Sequence, residues 1–214
     1  MSTAADAITD KKAYELFGRG IPPQSTRQKL LFTALDLFYT HGIHAVGLDR
    51  ILAEVGVTKT TFYNHFPSKD DLILECIATR DAWESRWFEE EVEKRGGGDS
   101  RAMLLAVFDV LDTWFCGEQF NGCAFLNAAI EFPSPNDPIH RAAAAHMDNS
   151  EKWLAELATQ AGASEPQRVA EEFSVLIQGS MVTRHAMNRD EAAAVSRRMA
   201  EAVLDRYLPP RPRK

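Results

Sequence analysis

The chain has 214 residues, 45% hydrophobic and 26% charged, which excludes a wholly disordered protein and leaves room for one large core or for a small module joined to a larger domain. No apolar run approaches the roughly 18 to 20 residues of a membrane span and the opening MSTAADAITDKK has no signal-peptide core, so a cytoplasmic protein without membrane contact is expected. The formal charge of −7 speaks against general attraction to nucleic acid, yet the excess lies wholly beyond residue 71: residues 1–71 hold 8 Lys/Arg and 8 Asp/Glu, residues 72–214 hold 16 and 23.

Residues 1–24 mix small and charged types and end in Gly20-Ile21-Pro22-Pro23, so a flexible arm is expected there. From Ser25 the pattern turns helical. Ser25 and Gln28 form a capping-box pair, Leu30, Leu31, Ala34, Leu35, Leu37 and Phe38 line one face, and Gly42 ends the helix. Leu48, Ile51, Leu52 and Val55 make a second, short stripe closed by Gly56, and Thr58 caps a third helix that runs through Phe66. A long helix is predicted over 68–94, broken by Arg95-Gly96-Gly97-Gly98. Residues 101–115 are apolar enough to be buried on several sides. Helical segments follow at 123–131, 138–161, 166–187 and 190–208, and a disordered tail at 209–214. No stretch alternates with period two, so no sheet is predicted.

The segment 48–66 has the form of a helix-turn-helix. In its second helix Phe62 and Phe66 stand at i, i+4 and face the core, which turns Thr60, Thr61 and Asn64 outward, flanked by Lys59, Tyr63 and His65. An ordinary solvated face would carry Glu and Lys. Hydroxyls, an amide, a phenol, an imidazole and one ammonium are instead groups that contact base edges and phosphates in a major groove. Thr58 adds the helix N-terminus, and Lys69 opens the next helix within reach of another phosphate.

The run LLFTALDLFYTHGIHAVGLDRILAEVGVTKTTFYNHFPSKDDL, residues 30–72, resembles the DNA-binding domain of TetR (tetracycline-repressor-like) regulators, most specifically in Gly-Val-Thr-Lys-Thr-Thr-Phe-Tyr-Asn-His-Phe followed by Pro67-Ser68-Lys69. The resemblance implies that Lys59, Thr60 and Tyr63 enter the major groove while Thr61, His65 and Lys69 hold the backbone. The wheel adds Asn64. Two positions depart from the family pattern: Gly47 stands where a Ser or Thr cap is common, and Leu52 where a small Ala is usual. The resemblance further implies an all-α protein, with a three-helix helix-turn-helix domain at 25–71 and a helical ligand-binding and dimerisation domain at 72–208. Its partners would be double-stranded operator DNA, a small-molecule effector and a second copy of the chain, which would act as a repressor released on ligand binding. The last two long helices would form the dimer bundle, with Phe173, Leu176, Ile177, Ser180, Met181 and Arg184 as the candidate stripe.

Aromatic and soft side chains of the middle helices, Trp83, Trp87, Phe108, Trp114, Phe115, Phe125, Met147 and Trp153, are the candidate effector lining, with Asn127, Glu131, His146 and His185 as polar anchors. Each also reads as ordinary core. No cofactor is implied, and no metal, because His140 and His146 are not at i, i+4 and nothing completes a ligand set. Cys76, Cys116 and Cys123 lack CxxC spacing and read as reduced thiols. Two rival functions stay open: a thiol-based redox sensor using Cys116 and Cys123, and a helical small-molecule enzyme without DNA binding. The enzyme reading lacks a nucleophile-base set or phosphate loop and leaves the 58–65 surface unexplained.

Overall fold

The computed structural model describes residues 23, 25–117 and 120–209. Apart from Pro23 and Pro209, the arm and tail expected at the two termini lie outside the described residues. Those residues form α1 (Thr26–His41), α2 (Leu48–Val55), α3 (Lys59–Tyr63), α4 (Lys69–Gly96), α5 (Ser100–Phe115), α6 (Ala124–Glu131), α7 (Pro138–Gln160), α8 (Pro166–Met187) and α9 (Ala192–Tyr207), with no strand among them. None of these helices is long and apolar enough to cross a membrane. The chain sorts into two compact units, one from the residues up to Trp87 together with Ala124–Ala145, the other from Phe88–Cys123 together with the residues from His146 onward.

In the first unit, Ser25 caps α1 by accepting the Gln28 N–H at 3.2 Å, and Leu30, Leu31, Ala34, Leu35 and Phe38 bury one face of that helix. α2 starts at Gly47, which offers no side-chain cap, and ends at Gly56 in the left-handed conformation. The turn delivers Thr58, whose hydroxyl accepts the Thr61 N–H at 3.2 Å and so starts α3. α3 is shorter than predicted: it stops at Tyr63, and Asn64, His65 and Phe66 form a turn closed by backbone bonds to Thr60 and Phe62. Phe62 and Phe66 are fully buried and stacked at 5.7 Å, so the apolar anchors fall inward as their spacing requires. Ser68 then accepts the Asp71 N–H at 3.1 Å and opens α4.

α4 runs past the expected break. Arg95 and Gly96 remain helical, and Gly96 is needed there because any Cβ would lie 2.7 Å from the Met103 Cα. In the second unit α5 buries eight side chains, from Leu104 to Phe115, around its circumference. It packs against α9, which also packs on α8. Phe108 meets Phe173 of α8 at 5.6 Å, and the Ser196 hydroxyl of α9 donates to the Leu176 carbonyl at 3.3 Å.

These contacts correct the reading of α8. Phe173 and Ser180 of the expected dimer stripe are buried in the unit's own core, and the Arg184 Nε donates to the Phe115 carbonyl at 3.1 Å. The apolar side chains that α8 and α9 leave exposed are Val175, Val182, Met187, Val195 and Met199, with Gly179 open between the first two. Both faces of α8 are apolar in sequence, and packing on α5 and α9 decides which one turns inward.

Candidate nucleic-acid interface

α3 sits with its apolar side anchored by Phe62 and its opposite side open. Thr58, Lys59, Thr60, Tyr63 and Asn64 are exposed, and Thr61 and His65 are half-buried. Tyr63 is 55% exposed although it packs edge-on against Phe62 at 5.3 Å, so the ring is braced while the phenol faces outward. The Thr58 and Thr61 hydroxyls lie 3.0 Å apart, which fixes both rotamers at the helix start. Lys59 Nζ pairs with Asp49 of α2 at 2.9 Å; the hydrogen bond to Asp49, then its charge, raises the lysine pKa. Asp49 therefore holds the ammonium beside the open face, a role that sequence reading missed because the pair joins two helices.

Lys69 is placed differently from the others. Its Nζ donates to the Ile43 carbonyl at 2.9 Å and lies 5.6 Å from the Phe38 ring centre, half-buried, and burial lowers its pKa against the opposing pull of Asp70 and Glu131. The same loop is gripped from its other side. Glu131, at the end of α6, accepts the Ile43 N–H at 2.9 Å and the His44 N–H at 2.7 Å, and its carboxylate meets the His44 ring Nδ1 at 3.2 Å. Burial pushes the Glu131 pKa up, but the bonds from His44 and Ile43 outweigh it and the net direction is down. Gly42 makes the grip possible: its φ of +85° disfavours any other residue, and an added Cβ would stand 3.3 Å from a Glu131 oxygen. Phe132 stacks on His44 at 4.7 Å, and His140 meets the Phe132 carbonyl at 2.8 Å, tying the end of α6 to α7.

The candidate effector residues are shared between the two units. Trp83, Trp87, Phe125, Asn127 and Glu131 belong to the first unit, and Phe108, Trp114, Phe115, His146, Met147, Trp153 and His185 to the second. Trp83 packs edge-on against Phe32 at 5.4 Å, and Trp153 against Phe88 at 6.3 Å. Trp114 and Phe115 surround Phe120, and His185 stands edge-on to that ring at 6.3 Å. Phe125, Asn127 and Glu131 line a cavity of about 470 Å³, mouth included, in the first unit. Its other walls come from α1 and α4, including Tyr39 and Arg80, which were not singled out in the sequence. Cys76 and Cys123 are buried, Cys116 is exposed, and none of the three forms a disulfide. Among the described residues no three His, Cys, Asp or Glu side chains are grouped to hold a metal.

A helix-turn-helix with this open face has counterparts elsewhere. Residues 30–76 match the model of bacterial regulatory proteins of the tetR family, and residues 101–200 match the tetracyclin repressor-like C-terminal domain. SCO4454, a TetR-family transcriptional regulator from Streptomyces coelicolor, is 34% identical in structure-based alignment, covering 85% of this chain and 95% of that one with a TM-score of 0.76. The chain belongs to the TetR family. It is a helix-turn-helix transcriptional regulator, and its second matched segment extends the TetR likeness well beyond the reading head. The HTH-type transcriptional regulator YjdC of Escherichia coli (strain K12) is 24% identical over 183 residues, covering 83% of this chain and 93% of YjdC. The HTH-type transcriptional activator FasR of Mycolicibacterium smegmatis is 40% identical over 60 residues, 28% of this chain and 27% of FasR, so that likeness is confined to a short stretch.

Proposed function

We propose that this TetR-family regulator acts in the cytoplasm as a homodimeric repressor that holds a palindromic operator and lets go when a small molecule binds it. The observation that carries DNA contact is the open face of α3, where Lys59, Thr60, Tyr63 and Asn64 are exposed over a buried Phe62. Lys59, Thr60 and Tyr63 would read the major groove and Asn64 would add a contact, while Thr58, Thr61, His65 and Lys69 would hold the phosphate backbone. Lys69 serves this best in part through the loop it already grips, since its ammonium is engaged with the Ile43 carbonyl. By role, residues 25–71 are the reading head and 72–208 the sensing and dimerising part.

The dimer is supported by the exposed stripe Val175, Gly179 and Val182 on α8 with Val195 and Met199 on α9, apolar surface that a second copy would cover. α4 would be the lever, since it starts three residues beyond the Phe66 anchor and continues to Gly96. The effector must bind one state better than the other, and moving the balance from 1:99 to 99:1 takes about 5.5 kcal/mol of differential binding. The protein would act by binding alone, without catalysis.

A mobility-shift assay at stated salt against the DNA upstream of its own gene tests this. A specific complex that Lys59→Ala with Tyr63→Ala removes is the expected result. A complex with the same affinity in that double variant would overturn the assignment of α3.

A further inference from the structure

We infer that Lys59 and Asp49 read one G·C base pair of the operator as a unit, the ammonium taking the guanine and the carboxylate the cytosine. This rests on the DNA-reading role proposed above for α3, and it adds to that role a base pair and a second reader, Asp49 of α2.

Lys59 opens α3 and Asp49 stands in the first turn of α2. Their side chains meet at 2.9 Å between the two helices and stay 62% and 80% exposed. An ion pair this open to water adds little to stability. It does leave hydrogen-bonding capacity at the surface, since an ammonium carries three donors and a carboxylate about four acceptor sites, and the pair uses one of each. Its charges also cancel, so Asp49 does not repel phosphates as a lone carboxylate would.

The pair therefore offers a donor and an acceptor side by side. The two central groups of a base pair's major-groove edge can complement it: O6 beside N4–H in G·C, or O4 beside N6–H in T·A. Those groups are joined to each other by a hydrogen bond of about 2.9 Å, the same spacing as Lys59 Nζ to Asp49 Oδ1, so both contacts form with the ion pair intact. C·G and A·T show the same groups in the opposite order and set ammonium against amino group and carboxylate against carbonyl. Between the two that fit, the outer group chooses. Guanine offers N7 on the lysine's side, where it takes the last ammonium donor; T·A puts a methyl there and turns the adenine N7 lone pair toward the carboxylate.

The test selects the full-length protein on a duplex library with a randomised window. Each half-site is expected to show one position where G·C in a single orientation is enriched at least about fivefold over the other three pairs. Lys59→Ala and Asp49→Ala should both flatten that position and keep the rest of the motif. Asp49→Asn should bind every sequence more tightly, having lost an anion, yet discriminate less there, because an amide can turn either oxygen or amino group to the base. Two modified duplexes then probe single atoms: 7-deazaguanine lacks N7, and N4-methylcytosine has its groove-facing N4 hydrogen replaced. Each should weaken the wild-type complex about fivefold or more, the first losing its effect in Lys59→Ala and the second in Asp49→Ala. If a variant does not fold, the modified duplexes with wild-type protein decide alone. The inference is overturned by a preference for any other pair at the position Lys59→Ala flattens, by Asp49→Ala flattening a different position, or by N4-methylcytosine leaving the wild-type complex unchanged. A library that returns no motif strikes the DNA reading of α3 and the pair with it, whereas a motif that Asp49→Ala leaves intact strikes the pair alone.

Discussion

Single side chains fix the poise of α3 and of the loop before α2. Lys59 is held by Asp49, so the two have opposite expected effects on DNA. Lys59→Ala should weaken operator binding by about tenfold and flatten its salt dependence by about one counterion. Asp49→Asn, which removes an anion from the same surface, should tighten binding; both are read by anisotropy titration across a salt series. Glu131 has a pH signature with a definite sign. Its folded pKa lies below the ordinary carboxylate value, so its stabilisation is fully present above the unfolded value and is lost as pH falls through the folded one. Glu131→Gln leaves the Ile43 and His44 N–H groups poorly served, at a cost of about 1–3 kcal/mol. The gap in Tm between wild type and Glu131→Gln should therefore be full at neutral pH and narrow below about pH 4.3. A gap constant down to pH 3 would show that the carboxylate's charge is not what holds the loop.

At the scale of elements, short-range pattern was the legible part. The Ser25 cap, the Phe62 and Phe66 anchors and the Thr58 start of α3 were readable because each depends on residues within four of one another. Thr58→Ala should cost about 1 kcal/mol by removing the α3 cap, and Phe62→Ala about 3–5 kcal/mol by emptying the core beneath it. Chemical denaturation monitored by circular dichroism measures both, and the expected order is Phe62→Ala well below Thr58→Ala. What was not legible came from partners far apart in sequence. The Glu131 contact joins residues 88 apart, and nothing local to α6 distinguishes a ligand anchor from a carboxylate that holds another segment's backbone. On α8 the pattern alone does not decide which face turns inward: Phe173 and Val175 look equally apolar, and packing on α5 and α9 buries Phe173. For the effector candidates, periodicity names the side chains that leave water, not those that meet.

For the whole molecule, the proposed dimer rests on the exposed stripe of α8 and α9. Val182→Asp should turn the dimer into monomers at micromolar concentration, seen by sedimentation velocity, and should lower operator affinity although residue 182 is far in sequence from α3. An unchanged sedimentation coefficient would move the interface elsewhere. The order in which the chain visits its two units has a further meaning. It leaves the first unit after Trp87, returns at Ala124 and leaves again after Ala145, so the reading head's supports are not contiguous with it. A fragment ending near residue 87 would lack Glu131, Phe125 and Ala128 and would expose Phe38, Ile73 and Ile77. The head is therefore not a portable cassette: a chimera that transplants this DNA specificity onto another sensor must carry 124–145 along, and recombination that splits the gene between the two segments yields a head without its keeper.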